Sequence, residues 1–167
     1  EQSRGSTIPV ILDADAINIL STHRNWLGRI PKRCILTPHL GELERLVGKC
    51  MDTYERLTKV KELAAYLQSY IIVKGAWTTI VTPEGKFYFN PTGNPGMATG
   101  GSGDVLTGIL LGLVSQGYSQ EEACKLGVYI HGLAGDIAAE EMTEIGMTAH
   151  DIVNALPTAW KKITHKV

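Results

Sequence analysis

A glycine-rich segment, residues 94–104, runs directly into ten mostly apolar residues, 105–114. Glycine lacks a Cβ atom, so the backbone of such a segment can adopt positive φ angles and approach a ligand closely. The apolar run predicts a helix, whose free N–H groups and positive dipole end point toward the glycine-rich segment. Segment and helix together predict an anion site, and phosphate is the anion that fits best.

Asp104 places a carboxylate in the middle of this predicted anion site. Aspartate is a favoured N-cap residue, so an ordinary helix cap is one interpretation. The other interpretation is a carboxylate that takes part in chemistry on the bound anion. The segment alone does not distinguish between these two interpretations, and the evidence for either has to come from the rest of the chain.

Apolar, β-branched runs at residues 8–12, 34–36 and 70–73 predict buried strands, because each is short and bounded by polar residues. Two further runs, 78–82 and 86–89, flank Pro-Glu-Gly and predict a hairpin. The remaining periodic segments predict helices that begin near Leu40, Asp52, Val105, Ser119 and Thr148. Strands that alternate with helices indicate an α/β fold with a parallel sheet.

Several residues of the predicted helices carry specific expectations. The helix that follows the glycine-rich segment is apolar on nearly all sides, which predicts a central, buried position. Its Gly108 and Gly112, four residues apart, predict close packing against a neighbour. Pro157 predicts a kink or a break in the last helix. His131 is expected to be a structural histidine rather than a ligand.

Polar side chains follow each predicted parallel strand, namely Asp13 and Asp15, His39 and Glu42, and Lys74. Each has a structural alternative as a turn residue or as part of a capping pair. The carboxyl ends of parallel strands, however, meet at one edge of the sheet, where ligands bind. An anion cradle, a cation, a His/Glu pair and a carboxylate that can act as general base are the components of phosphoryl transfer.

The composition limits the classes of partner and compartment. The 167 residues suffice for one domain, and Lys plus Arg (16) nearly balance Asp plus Glu (17), which argues against nucleic acid or an anionic membrane as the main partner. No apolar run is long enough to span a bilayer, and no signal peptide is visible. The three cysteines, Cys34, Cys50 and Cys124, argue against a disulfide framework and a zinc site, so we expect a cytoplasmic protein.

The segment Gly100 to Asp104 resembles the Gly-x-Gly-Asp signature of ribokinase-like enzymes, with Asp104 at the position of the catalytic base. Four segments are similar, in order and spacing, to motifs of the NAD(P)H-hydrate dehydratase family: residues 12–16, 36–42, 73–78 and 96–104. A fifth segment, residues 150–157, completes the set. The resemblance covers almost the whole chain, and it implies a three-layer ribokinase-like α/β fold with a mainly parallel sheet.

The resemblance also implies a reaction. Its substrate is the S epimer of hydrated NADH or NADPH, whose ring hydroxyl is phosphorylated by ADP or ATP with Mg²⁺, and loss of phosphate restores NAD(P)H. Asp104 would deprotonate or orient the hydroxyl, and an anion hole of Gly101, Ser102 and Gly103 would hold the transferring phosphate. The Met-Ala-Thr-Gly-Gly form of residues 97–101 is more similar to the bacterial branch that uses ADP.

Further roles carry over from the family residue by residue. The nucleotide-binding positions match Lys74, Gly75, Ala76, Trp77, Thr78 and Gly103. The substrate-binding positions match Asp15, His39, Glu42 and Asp104. Glu42 also matches the acid of the superfamily's Asn-x-x-Glu motif, which is linked to Mg²⁺. His39 replaces the asparagine of that motif, so this chain departs from the pattern at its metal-linked position.

Family members contain a further N-terminal portion of the same domain, with early strands and a glycine-rich turn that touches the substrate. We therefore expect residues 1–167 to be the C-terminal portion of a single ribokinase-like domain that lacks its N-terminal strands, and we expect a homo-oligomer. Two alternatives stay open. One is a kinase for a vitamin precursor of the hydroxyethylthiazole or hydroxymethylpyrimidine type, and the other is an inactive fragment that binds nucleotide without turnover.

Overall fold

The computed structural model describes residues 8–164, which form five strands and six α-helices. The strands are β1 (Ile11–Leu12), β2 (Ile35–Leu36), β3 (Tyr70–Val73), β4 (Thr79–Val81) and β5 (Phe87–Phe89). The α-helices are α1 (Ala14–Thr22), α2 (Leu40–Val47), α3 (Thr53–Leu67), α4 (Ser102–Ser115), α5 (Gln120–Gly146) and α6 (Ala149–Thr164). Short 3₁₀ helices cover Arg24–Arg29 and Pro95–Met97.

The five strands form one sheet whose spatial order follows the chain, from β1 to β5. Strands β1, β2 and β3 pair in parallel, whereas β3–β4 and β4–β5 are antiparallel pairs. Two antiparallel steps restore the original direction, so β5 points the same way as β1 to β3. The predicted mainly parallel sheet and the predicted hairpin are therefore both confirmed.

Side chains of β3 alternate between the two faces of the sheet, as the strand period requires. Ile71 and Val73 pack with apolar side chains from α1, α2 and α3. Tyr70 and Ile72 pack on the other face with side chains from α4 and α5. A further apolar cluster joins α5 to α6. Helices thus cover both faces of the sheet, and the predicted three-layer architecture is confirmed.

The helix boundaries follow the capping signals of the sequence. The Asp52 carboxylate accepts the backbone N–H of Glu55 at the start of α3, and Ser119 and Glu122 form a reciprocal capping box at the start of α5. Regular helical geometry in α5 ends before Thr143, whose φ of 65° and ψ of 157° lie outside the helical region. Within residues 8–164, no helix combines the length and the apolar character needed to cross a membrane.

Two expectations about the helices need correction. Helix α6 continues through Pro157 without a break. The carbonyl that this proline leaves unpaired belongs to Val153, on a solvent-exposed side of the helix where water can bind it. Helix α4 is buried on one face only, because Leu110 is fully buried whereas Leu111 is exposed.

The glycines of α4 lie on its less buried side. A Cβ added at Gly108 or Gly112 would have no neighbouring atom within 4 Å in the described part of the chain. The predicted close packing at these two glycines is therefore wrong for residues 8–164. The open side also includes the exposed Asp104 and Leu111.

Candidate functional site

A cavity of about 570 Å³ lies beyond the carboxyl ends of β2 and β3, beside the N-terminus of α4. Its walls come from the loop after β3, from residues 90–99, from the first turn of α4 and from the middle of α5. This location is where open α/β sheets bind ligands. The volume falls within the range of roughly 300–1,000 Å³ that is typical of small-molecule sites.

The loop that follows β3 supplies one wall of the cavity. Lys74, Gly75, Ala76 and Thr78 line it, in agreement with the segment predicted to bind nucleotide. Trp77 belongs to the same predicted segment, but its side chain is 70% exposed and is not part of the cavity wall. The structure therefore brings four of these five residues to the cavity and leaves Trp77 at the surface.

The N-terminus of α4 forms the floor of the cavity. Gly101 is the N-cap, with a left-handed φ of 87° that glycine adopts without a Cβ clash, and no side chain caps the first turn. Ser102 and Gly103 line the cavity. The uncapped N–H groups and the positive end of the helix dipole are therefore available to an anion in the cavity.

Asp104 lies in the first turn of α4, one residue beyond Gly103, and its side chain is exposed. Consecutive helical residues project about 100° apart. Gly103 faces the cavity, and Asp104 faces the open side of the helix and takes no part in the cavity wall. Asp104 thus projects about 100° away from Gly103 around the axis of α4, outside the cavity wall but in the same first turn of the helix.

The two aspartates that follow β1 have different surroundings. Asp15 is exposed in the first turn of α1. The Asp13 carboxylate accepts a hydrogen bond from Lys74 Nζ at 2.8 Å and another from Thr107 Oγ1 at 3.2 Å. Burial alone would raise the pKa of Asp13, but the hydrogen bond from Lys74 and the Lys74 charge outweigh burial and lower it. The sequence placed both aspartates at this edge of the sheet and a binding role on Asp15, but it did not predict the contact between Asp13 and Lys74.

His39 and Glu42 form a capping box at the N-terminus of α2. The ring Nδ1 of His39 accepts the N–H groups of Gly41 and Glu42, so the ring proton lies on Nε2, 3.3 Å from Glu42 Oε1. The other carboxylate oxygen of the buried Glu42 accepts the His39 backbone N–H. The capping alternative is confirmed, and His39 also lines the cavity.

His131, on α5, contributes an unpredicted polar group to the cavity wall. Its Nε2 lies 3.3 Å from the Ser102 hydroxyl at the start of α4. Burial, with a smaller contribution from the nearby Lys74 charge, lowers the pKa of His131 to about 4, although the hydrogen bond with Ser102 opposes both. The imidazole is therefore neutral near pH 7 beside the predicted anion hole.

Residues 90–99, here named the wall segment, are fixed to α5 by side-chain hydrogen bonds. Thr92 Oγ1 donates to the Tyr129 carbonyl at 2.9 Å. The Gly93 N–H and the Asn94 side-chain amide each donate to the Asp136 carboxylate at 3.0 Å. The cavity wall is thus held by α5, and it does not depend on the sheet alone.

Two glycines of α5 make room for the wall segment. A Cβ at Gly132 would overlap Thr92, and a Cβ at Gly135 would overlap the Met97 side chain. Gly132 and Gly135 are three residues apart in an otherwise regular helical pattern, and Asp136 follows them directly. This spacing was the available signal for a close approach of backbone to helix, and it was not used in the sequence analysis.

Comparison with known proteins decides the family. The sequence profile of the NAD(P)H-hydrate dehydratases matches residues 1–158. The chain belongs to the NAD(P)H-hydrate dehydratase family. The resemblance drawn from residues 12–16, 36–42, 73–78 and 96–104 is therefore confirmed.

Individual relatives agree with that assignment. An ADP-dependent (S)-NAD(P)H-hydrate dehydratase of Neisseria meningitidis is 40% identical over 162 residues, which cover 93% of this chain and 54% of the relative. The crystal structure of the ADP/ATP-dependent NAD(P)H-hydrate dehydratase from Bacillus subtilis, co-crystallised with ATP/Mg²⁺, is 37% identical, with a TM-score of 0.78 over 92% of this chain and 55% of that one. A ribokinase-like superfamily protein from Enterococcus faecalis is 36% identical, with a TM-score of 0.79 over 92% of this chain and 52% of that chain, which confirms the ribokinase-like fold.

The chain spans about half the length of relatives named as ADP-dependent (S)-NAD(P)H-hydrate dehydratases, 54% in the Neisseria meningitidis protein. It spans still less of relatives named as bifunctional NAD(P)H-hydrate repair enzymes, at 30% of the first of them. The matched region is thus one part of a longer protein in these relatives.

Residues 8–164 contain no group of three or more His, Cys, Asp or Glu side chains that could hold a metal ion. Both carboxylate oxygens of Glu42, the candidate metal ligand, are already engaged by His39. Mg²⁺ commonly binds through substrate phosphates and water with only one or two carboxylates. The described residues therefore fit a magnesium ion that arrives with the nucleotide better than a resident metal.

Proposed function

We propose that this protein converts the S epimer of hydrated NADH or NADPH back to NAD(P)H at the expense of ADP or ATP. The observation that carries the proposal is the arrangement around the N-terminus of α4. A cavity suited to a nucleotide adjoins this helix N-terminus at Ser102 and Gly103, and the Asp104 carboxylate lies in the same helix turn, outside the cavity wall. The names of the relatives support the same reaction.

Nucleotide binding belongs to the cavity. Lys74, Gly75, Ala76, Thr78 and Gly103 line it, whereas Trp77 would act from its rim. The terminal phosphate would lie at the anion hole of residues 101–103, where backbone N–H groups and the helix dipole stabilise negative charge. The nucleotide phosphates would hold the magnesium ion, which would supply further charge neutralisation.

Asp104 is the proposed general base. It would accept the proton of the ring hydroxyl as the hydroxyl oxygen bonds to the terminal phosphorus and the bond to the nucleoside phosphate breaks. Departure of the new phosphate ester as phosphate, with loss of a ring proton, restores the dihydronicotinamide. His39, Asp15 and Glu42 are proposed to contact the hydrated dinucleotide, since all three follow the ends of β1 and β2 at the same sheet edge.

We also propose that this chain is the C-terminal portion of one ribokinase-like domain. Support comes from the open side of α4, where nothing in residues 8–164 packs on Gly108 or Gly112, and from the greater length of the relatives. A natural polypeptide whose intact mass leaves no room for further strands would contradict this.

Two proposals concern assembly and compartment. A cytoplasmic homo-oligomer is proposed, since the three cysteines are free thiols and apolar side chains such as Trp77 are exposed. A monomeric mass in analytical ultracentrifugation would contradict the oligomer. Localisation of a tagged protein outside the cytoplasm would contradict the compartment.

The test is turnover of hydrated NADH with ADP, followed by recovery of dihydronicotinamide absorbance. Asp104→Asn should lower kcat by about 10²–10⁴-fold and keep ADP affinity, because Asp104 takes no part in the wall of the nucleotide cavity. Asp52→Asn is the matched control. Asp52 caps α3 away from the cavity, and asparagine caps equally well.

The alternatives give different results in the same assay. Unchanged kcat in Asp104→Asn would refute the assignment of the base. A vitamin-precursor kinase would phosphorylate hydroxyethylthiazole or hydroxymethylpyrimidine to a stable phosphate ester and leave hydrated NADH unchanged. A fragment that only binds nucleotide would show ADP affinity in titration calorimetry with no product of either kind.

A further inference from the structure

Asp13 and Lys74 form an ion pair of 2.8 Å between the ends of β1 and β3. The side chains are only 12% and 23% exposed, so water screens the pair weakly. Removing two charges from water costs free energy that the attraction between them only partly offsets. An ion pair with so little exposure is therefore weak evidence for a purely stabilising role.

Asp13 occupies the N-cap position of α1 but does not cap it. Its carboxylate makes no capping hydrogen bond within the first turn of the helix. An aspartate used as an N-cap would stabilise the helix by accepting a backbone N–H of its first turn. Asp13 instead turns its carboxylate to the cavity side, toward Lys74 and Thr107.

The ion pair lies directly against the anion hole. A Cβ added at Gly103 would lie 3.2 Å from Lys74 Nζ and 3.4 Å from Asp13 Oδ2. Lys74 also lines the cavity, whereas Asp13 does not. The ammonium group is therefore the member of the pair that a bound phosphate could reach, and the carboxylate lies behind it.

The Asp13 carboxylate also connects the two elements on which the phosphate would rest. One oxygen accepts from Lys74 at the end of β3, and the other accepts from Thr107 in the second turn of α4. A lysine ammonium has three donors, so two remain for a phosphate after one is given to Asp13. These contacts fix the ammonium relative to the helix N-terminus.

We infer that Asp13 is a positioning residue, which holds the Lys74 ammonium against the N-terminus of α4 so that it contacts the terminal phosphate of the nucleotide. The inference rests on the proposed function for its ligand, a nucleoside polyphosphate. Lys74 makes the contact with phosphate, and Asp13 acts only through Lys74 and through its hydrogen bond with Thr107.

The test is a double-mutant cycle on nucleotide binding, measured by titration calorimetry with two probes. ADP carries the phosphates, and adenosine fills the same cavity without them. Asp13→Asn should weaken ADP binding about tenfold and leave adenosine binding unchanged, because only the phosphate contact depends on the position of the ammonium. In a Lys74→Met background, Asp13→Asn should change ADP affinity by less than about twofold, since residues that act through one another are non-additive.

Several outcomes would overturn the inference. Equal losses for ADP and adenosine, with a lowered Tm, would mean a structural role. Unchanged or stronger ADP binding in Asp13→Asn would mean that the carboxylate only repels the phosphate. The same tenfold loss in the Lys74→Met background would mean that Asp13 acts independently of Lys74.

A second variant and a control complete the design. Thr107→Val removes the other hydrogen bond of the Asp13 carboxylate with no change of charge. It should weaken ADP binding about threefold and leave adenosine binding unchanged. Unchanged ADP binding in this variant would count against the inference. Asp52→Asn should match the wild type for both probes. Because binding alone decides these results, they stand even if hydrated NADH is not turned over, in which case only the proposed reaction fails.

Discussion

The neutral, partly buried His131 should make folding stability depend on pH in a way that one substitution removes. The pKa of His131 is lowered to about 4 in the folded chain, from an ordinary value of 6.5. At a pH between these two pKa values, the histidine is protonated in the unfolded chain and neutral in the folded chain. The free energy of unfolding should therefore fall as the pH drops below 6.5, and the His131 contribution is fully present only above that pH.

The size of this contribution follows from the shift. A difference of 2.5 pKa units corresponds to about 3 kcal/mol at full effect. Between pH 7 and pH 5, where the unfolded histidine becomes almost fully protonated, the expected loss is about 2 kcal/mol. That is a substantial part of the roughly 5–15 kcal/mol by which typical domains are stable.

Urea unfolding at pH 7, 6 and 5 provides the measurement, with wild type compared with His131→Gln. Glutamine keeps a polar group beside the Ser102 hydroxyl and does not titrate. The wild type should lose about 2 kcal/mol more than the variant between pH 7 and pH 5. His150→Gln, which removes an exposed histidine at the start of α6, should keep the wild-type loss. Parallel stability profiles for wild type and His131→Gln would refute the reasoning.

Two further predictions concern packing. Leu110→Ala empties a fully buried position under the sheet and should lower the free energy of unfolding by about 2–5 kcal/mol in urea, whereas a loss below about 1 kcal/mol would contradict the observed burial. Gly135→Ala should displace Met97 and with it the cavity wall, and so weaken ADP binding in calorimetry. Gly108→Ala, where the added methyl group meets no described atom, is the matched control and should leave ADP binding unchanged.

The fold was accessible from sequence because its signals are local. Apolar runs such as residues 70–73, the Pro-Glu-Gly turn and the capping residues Asp52 and Ser119 each specify their element through neighbouring residues alone. The position of α4 was harder to predict. Its apolar character on all sides indicated full burial, but which side a helix leaves open depends on what packs there, and that is not encoded in the helix itself.

The sequence predicted which strand ends form the candidate site, but it did not predict which side chains at those ends contact one another. Lys74 and Gly103 meet at the cavity because β3 ends, and α4 begins, at the same edge of the sheet. Whether Asp13 or Asp15 contacts Lys74 depends on the direction in which each side chain points. The spacing of the two residues in the sequence does not specify that direction. His131 reaches the cavity from α5, a helix that lies outside every motif named in the sequence. No motif therefore connected His131 with the cavity.

The strand order described above has a kinetic consequence. Within residues 8–164, every strand pairs only with strands adjacent to it in the chain. Low sequence separation between contacting segments is associated with fast folding, because short loops close at little entropic cost. The hairpin of β4 and β5 can form on its own, β3 can join it through a short connection, and β2 and β1 can then add in turn. The sheet can thus grow from its C-terminal strands outward, and its most distant pairing in sequence is that of β2 with β3, where Ile35 pairs with Tyr70.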